Sequence, residues 1–202
     1  MTNQKTLQRV CVYCGSSVGA RPEYSVVATT LGRLLAARDI ELVYGGGHVG
    51  LMGAVADGAL SAGGRVIGVI PRALMDRELG HTAIQDLRVV ADMHERKMTM
   101  AGLADAFIAL PGGWGTIEEL SEMLTWLQLA IHAKPIGVLN VAGYFDPFLA
   151  FAERMIAERF VRVEHRHLFS VESEPEALLE RLMKPVPAPI DKWVDNLPVG
   201  SD

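Results

Sequence analysis

"AFIALPGGWGTIEELSEMLTWLQLAI" occupies residues 106–131. It begins with an unbroken apolar run, 106–110, passes through Gly112, Gly113 and Gly115, and continues with helical periodicity over 116–131. A short, continuous apolar run bounded by glycine is the pattern of a strand buried on both faces, which is the situation of a strand in a parallel sheet. Strand, tight glycine loop and amphipathic helix together make one half of a βαβ unit.

The same unit recurs on both sides of this stretch. Strands are predicted at 9–13, 40–44, 65–70, 87–90, 135–140 and, as a short edge, 167–171. Helices are predicted at 22–38, 50–63, 92–104, 146–160 and 174–183, with Pro22 near the start of the first and Asp92 as a cap for the third. The segment 71–86 has no clear period. This alternation predicts an α/β fold: a Rossmann-like, doubly wound parallel sheet with helices on both faces. The expected organisation is one nucleotide-binding catalytic domain over 1–184 and a Pro-rich tail over 185–202.

Bulk properties narrow the function. The chain has 202 residues, half of them hydrophobic, and a net charge of −5, so it lacks the basic excess of a nucleic-acid binder. Its first ten residues are polar and lack the apolar core of a signal peptide, and no apolar run approaches a membrane span. These features predict a cytoplasmic protein that engages neither nucleic acid nor membrane. Cys11 and Cys14 form a CxxC, but there is no second pair to complete a zinc site, and Cys11 falls within a predicted strand. Both are read as core thiols.

Three glycine-rich loops follow three predicted strands: "CGSS" (14–17), "GGGHVGLMG" (45–53) and the loop after Leu110. All should emerge at the carboxyl edge of the sheet, where ligands of such folds bind. Bare N–H groups at the helix starts and the positive end of the helix dipole suit phosphate there. Tight turns account for one glycine each, but not for Gly45, Gly46 and Gly47 together with Gly112, Gly113 and Gly115. "GGGHVG" satisfies GxGxxG, yet the following strand ends in Pro71-Arg72 rather than in a ribose-binding acid, which argues against a dinucleotide dehydrogenase.

Arg96 and Lys97 are either a solvated helix face or a clasp for an anion. Glu118 and Glu122 share a helical face, whereas Glu119 points about 100° away. Acids in a first turn complement the dipole. A carboxylate beside a phosphate site also suits a reaction that develops positive charge, such as cleavage at an anomeric carbon. The histidines are scattered without metal-ligand spacing, and Trp114 could stack on a base or cap the core.

The motifs "CGSS", "YGGGHVGLMG", "ADMHERK", "LPGGWGTIEEL" and "TWLQLAIHAKPIGVLNVAGYFDPFL", in that order, resemble the Lonely Guy family of cytokinin-activating phosphoribohydrolases, whose signature is PGGxGTxxE. The resemblance runs over about residues 9–183. It implies hydrolysis of the N-glycosidic bond of a cytokinin riboside 5′-monophosphate, or of AMP, without metal or organic cofactor, in a homodimer with active sites near the subunit interface. It implies Arg96 and Glu119 as the catalytic pair. Lys97, Gly112, Gly113, Gly115, Thr116 and Glu118 would bind the nucleotide, with Gly45, Gly46, Gly47 and Met93 lining the pocket, and Glu78 and Thr125 as further contacts. Such sequences often carry the label lysine decarboxylase, but no pyridoxal-phosphate lysine motif is present. Two alternatives are a non-catalytic carrier of a phosphorylated cofactor of the molybdopterin type and a sensor that only binds AMP.

Overall fold

The computed structural model describes residues 7–77 and 80–184. The predicted tail and Glu78 lie outside the described residues. Seven strands form one sheet: β1 Arg9–Tyr13, β2 Glu41–Tyr44, β3 Val66–Pro71, β4 Asp86–Val90, β5 Ala106–Ala109, β6 Ile136–Leu139 and β7 Ser170–Glu172. Their order is β4-β3-β2-β1-β5-β6-β7, and every pairing is parallel. The chain therefore winds outward from β1 in one direction, then returns to build the other half from β5. The reversal falls between β1 and β5, where Tyr13 pairs with Ala109.

The helices are α1 Pro22–Ala37, α2 Gly50–Ser61, the single turn α3 Arg72–Met75, α4 Met93–Leu103, α5 Trp114–Gln128, α6 Asp146–Ala157 and α7 Pro175–Leu182. Alternation along β1 separates two cores. Val10 and Val12 face a cluster containing Leu31 and Leu35 of α1, Leu51 and Val55 of α2, and Leu178 of α7. Cys11 and Tyr13 face the opposite cluster, with Met100 of α4, Leu120 and Met123 of α5, and Phe107. Both cysteines are free and buried, and burial raises both thiols above their ordinary range. That is the doubly covered parallel sheet expected from the apolar strands.

Local signals operate as their chemistry dictates. Pro22 sits at the first turn of α1. The Asp92 carboxylate accepts from the His94 and Glu95 N–H groups at 2.8 and 2.9 Å, and Glu95 accepts in return from the Ala91 N–H at 2.7 Å. This is a reciprocal cap, and the Glu95 N–H holds the Asp92 carboxyl below its ordinary range.

Most element ends lie within one to three residues of expectation, and three differences stand out. The helix after the glycine loop starts at Trp114 rather than Thr116, because Gly113 serves as its N-cap and the Gly113 carbonyl already accepts from the Ile117 N–H at 3.2 Å. The segment 71–86 contains α3. The last strand begins at Ser170, since Val163–His167 is a 3-10 turn.

The α1 and α2 helices approach closely through small residues. A Cβ placed on Gly32 would lie 2.1 Å from the Val55 carbonyl oxygen, and one on Gly58 would lie 2.4 Å from that of Thr29. Gly32→Ala should therefore cost about 1–3 kcal/mol of stability by overpacking. Gly102→Ala, exposed in α4 with nothing within 4 Å of the added carbon, should instead stabilise by up to about 1 kcal/mol. Urea unfolding of the two variants checks the opposite signs.

Candidate functional site

The three glycine-rich loops meet at the carboxyl edge of the sheet and are joined through backbone. The Gly15 N–H donates to the Pro111 carbonyl at 3.0 Å, and the Gly15 carbonyl accepts from the Leu51 N–H at 3.0 Å. The loop after β1 is thus tied both to the loop after β5 and to the start of α2. Gly46 adopts φ +74°; its carbonyl accepts from the His81 N–H at 2.8 Å, and Gly47 bridges Gly80. His81 in turn contacts Asp57 of α2 at 3.0 Å.

Arg96 and Glu119 come together from α4 and α5. Arg96 Nη1 lies 2.6 Å from Glu119 Oε1, with side chains only 9% and 8% exposed. Arg96 Nε donates to the Val69 carbonyl within β3, at 3.2 Å. The guanidinium fills the space over Gly45, where a Cβ would lie 2.2 Å from Arg96 Nη2. A side chain at 45 would therefore have to displace the Arg96 guanidinium. Burial raises the Glu119 carboxyl above its ordinary range, and the neighbouring Arg96 opposes that rise.

Lys97 turns to the other face of α5. Its Nζ lies 2.5 Å from Glu118 and 3.2 Å from Glu122, and these carboxylates hold its ammonium above the ordinary lysine range, Glu118 most strongly. The two adjacent cations thus pair with differently oriented acids, as the helical spacing requires. Glu122, to which the sequence assigned no role, is the second partner of Lys97.

Thr116 is buried in the first turn of α5, packed against Gly112, while Gly113 and Gly115 are exposed. Met93 is 44% exposed at the first position of α4. Thr125 is exposed and bonded to the Ser121 carbonyl at 2.8 Å. It lies six residues beyond Glu119, roughly 9 Å along the helix. Trp114 is 90% exposed, so it does not cap the core.

A cavity of about 290 Å³ opens at the β1–β5 reversal. Gly112 and Gly113 line it on one side, together with Ser16, Ser17 and the rings of Tyr24 and Tyr144. Arg96 and Glu119 are not among its lining residues. The site therefore has two parts: a glycine- and serine-lined recess suited to phosphate, and a buried ion pair suited to chemistry. "CGSS" pointed to the serines. No sequence signal singled out Tyr24 or Tyr144, which come from α1 and from the turn before α6. Among the described residues, no three His, Cys, Asp or Glu side chains are grouped so as to hold a metal ion.

A family model described as possible lysine decarboxylase matches residues 52–182. A probable cytokinin riboside 5′-monophosphate phosphoribohydrolase of Oryza sativa subsp. japonica, LOGL9, is 50% identical over 185 residues, covering 92% of this chain and 82% of that protein. Cytokinin riboside 5′-monophosphate phosphoribohydrolase LOG1 of Arabidopsis thaliana is 46% identical over 187 residues, covering 93% and 88%. Among solved structures, the molybdenum cofactor binding protein from Rippkaea orientalis superposes with a TM-score of 0.66 at 24% identity, covering 86% of this chain and 93% of that one. The Moco carrier protein from Chlamydomonas reinhardtii gives 0.66 at 22%, covering 87% and 96%. Likeness to these two structures extends to the fold.

Opposing influences on Glu119 make a prediction. Its carboxyl should titrate above the ordinary glutamate value of about 4.3, and Arg96→Met should move it higher still, because desolvation then acts unopposed. A carbon-13 carboxyl NMR titration measures both; an unshifted or lowered wild-type value would contradict the geometry.

Proposed function

The chain belongs to the Lonely Guy family of cytokinin riboside 5′-monophosphate phosphoribohydrolases, and from that premise we propose how it acts. It hydrolyses the N-glycosidic bond of cytokinin riboside 5′-monophosphates, releasing the free base and ribose 5-phosphate; we extend this to AMP. The observation that carries the mechanism is the buried Arg96–Glu119 pair at 2.6 Å beside the N-terminal turns of α5.

In this reading the 5′-phosphate sits against the glycine loop and the free N–H groups at the start of α5, with Thr116 beside them. Gly45 to Gly47, Met93, Lys97, Glu118, Glu78 and Thr125 bound the remainder of the nucleotide. Breaking the bond between C1′ and the base nitrogen leaves positive charge on the ribose and negative charge on the base. The Glu119 carboxylate stabilises the cation and orients the attacking water. Water supplies hydroxide to C1′ and its proton ends on the base. Arg96 orients Glu119 and offsets charge on the departing base. Both residues stand on rigid helices, so reacting groups approach in fixed geometry.

The decarboxylase description fits poorly. A pyridoxal-phosphate Schiff base needs a lysine amine that readily loses its proton. Lys97 is held protonated by Glu118 and Glu122. The other lysines among the described residues are Lys134, which precedes β6 and so lies at the opposite sheet edge, and Lys184, which follows α7. A carrier of a phosphorylated cofactor has support only from fold-level likeness at 22–24% identity, whereas relatives at 46–50% identity are phosphoribohydrolases.

We also propose a cytoplasmic homodimer. The exposed apolar side chains of Met93, Met98 and Trp114 lie on α4 and at the start of α5, the two helices that carry the ion pair. A second copy would cover them. Among the described residues, no helix is long and apolar enough to cross a membrane.

Incubation with AMP and with isopentenyladenosine monophosphate, followed by chromatography for free base, tests the activity. Release from neither would overturn it. Glu119→Gln should lower kcat by about 10²–10³-fold or more while preserving the circular dichroism spectrum, since the amide oxygen still accepts from Arg96.

A further inference from the structure

Tyr144 stands outside every role assigned so far. It follows the 3-10 turn Val141–Gly143 and precedes α6. Its hydroxyl donates to the Gly112 carbonyl at 2.5 Å, across 32 residues of chain. Its ring meets that of Tyr24 edge-on, with centroids 5.7 Å apart. Both rings line the cavity that Gly112 and Gly113 border.

The turn that carries Tyr144 is heavily specified. Ala142 adopts φ 51° and Gly143 φ 73°. A left-handed alanine costs about 1–3 kcal/mol and persists only where its surroundings dictate it. Those surroundings are visible. The Asn140 side chain donates to Asp146 at 2.8 Å and accepts from the Phe145 N–H at 2.8 Å. The Asn140 N–H donates to the Glu172 carbonyl at 2.8 Å, and the Tyr144 N–H donates to that of Val141 at 3.0 Å. Phe145 is buried beside Tyr144, with ring centroids 5.2 Å apart. The phenol is thus presented from a braced platform on the β6 side of the reversal.

What it holds is a peptide with little stiffness of its own. Gly112 and Gly113 are adjacent glycines, so the peptide between them can rotate at small steric cost. A trans peptide is planar, with its C=O and N–H pointing in opposite directions. Fixing the Gly112 carbonyl toward Tyr144 therefore fixes the Gly113 N–H away from it. Gly113 is also the N-cap of α5, so the same peptide sets the entry of the chain into the helix that carries Glu119.

We propose that Tyr144 is a positioning residue for the substrate phosphate: its hydroxyl locks the 112–113 peptide so that the Gly113 N–H and the first turn of α5 are preset to receive the anion. This rests on the nucleotide-hydrolase reading above. Tyr144 touches no reacting atom; it acts through the loop.

The test is Tyr144→Phe in the full chain, which keeps the ring and removes the hydroxyl. Calorimetric Kd values for ribose 5-phosphate, inorganic phosphate and adenine are measured for wild type and variant, alongside kcat and KM for AMP. The loss of one hydrogen bond should weaken ribose 5-phosphate and phosphate about five- to tenfold and raise KM comparably. Adenine affinity should be unchanged and kcat should stay within about twofold. Unchanged ribose 5-phosphate affinity would overturn the proposal. So would equal weakening of adenine, which signals general loosening, and so would absence of phosphate binding by wild type. Wild type that binds ribose 5-phosphate yet releases no base from AMP or from isopentenyladenosine monophosphate would instead overturn the hydrolase reading, with the Kd comparison still deciding the role of Tyr144. Tyr144→Leu guards against misfolding of the first variant: it should show the same loss for phosphate ligands, with adenine retained.

Discussion

The architecture of the site depends on the backbone bonds of Gly15. Its N–H reaches the Pro111 carbonyl and its C=O receives the Leu51 N–H, each at 3.0 Å. Gly15 lies just past β1, the strand at which the winding of the sheet reverses. An open parallel sheet leaves a crevice at such a reversal, because consecutive connections depart to opposite sides. Here that crevice is spanned by a single residue that ties the loop after β5 to the start of α2. The recess lined by Ser16, Ser17 and Gly112 takes its shape from that tie.

Around this frame, charge is divided by helical geometry. Arg96 and Lys97 are neighbours in sequence, so they point in different directions from α4, and each meets an acid of α5 at the matching angle. The inner pair, Arg96–Glu119, is almost dry. Desolvation of two ions is expensive, and a pair that merely stabilised a fold could be replaced by apolar side chains at little loss. In the proposed reading the pair serves chemistry, where a partly desolvated carboxylate interacts strongly with a developing cation. In the outer group Lys97 is itself buried and only Glu118 is about half exposed, with Glu122 between them in exposure; in the proposed reading this group contacts substrate rather than taking part in the reaction.

Much of this was legible along the chain. Strand and helix succession followed from apolar runs and 3.6-residue periodicity, and the ends moved by only a few residues. Asp92 and Pro22 declared their roles by position. The division between Glu118 and Glu119 followed from a 100° turn per residue. Less legible was whatever depended on contact between distant segments. Trp114 lay within an apparent loop but proved to be the exposed first residue of α5, because Gly113 capped the helix earlier than Thr116 suggested. Tyr24 and Tyr144 gave no local sign, since their shared cavity is made by elements 120 residues apart in sequence.

Periodicity, glycine placement and the PGGxGTxxE pattern by themselves determined the fold class, the edge of the sheet that carries the loops, and the helices that bear Arg96 and Glu119. These are properties of near neighbours in the chain, governed by backbone sterics and side-chain period. Only the tertiary structure decided that Arg96 is buried against Glu119 above Gly45, that Lys97 is shared between Glu118 and Glu122, and that the Tyr144 hydroxyl grips the glycine loop. Those contacts join segments 21 to 32 residues or more apart. Their distances are fixed by how neighbouring helices and loops pack against the sheet, a geometry no local pattern encodes.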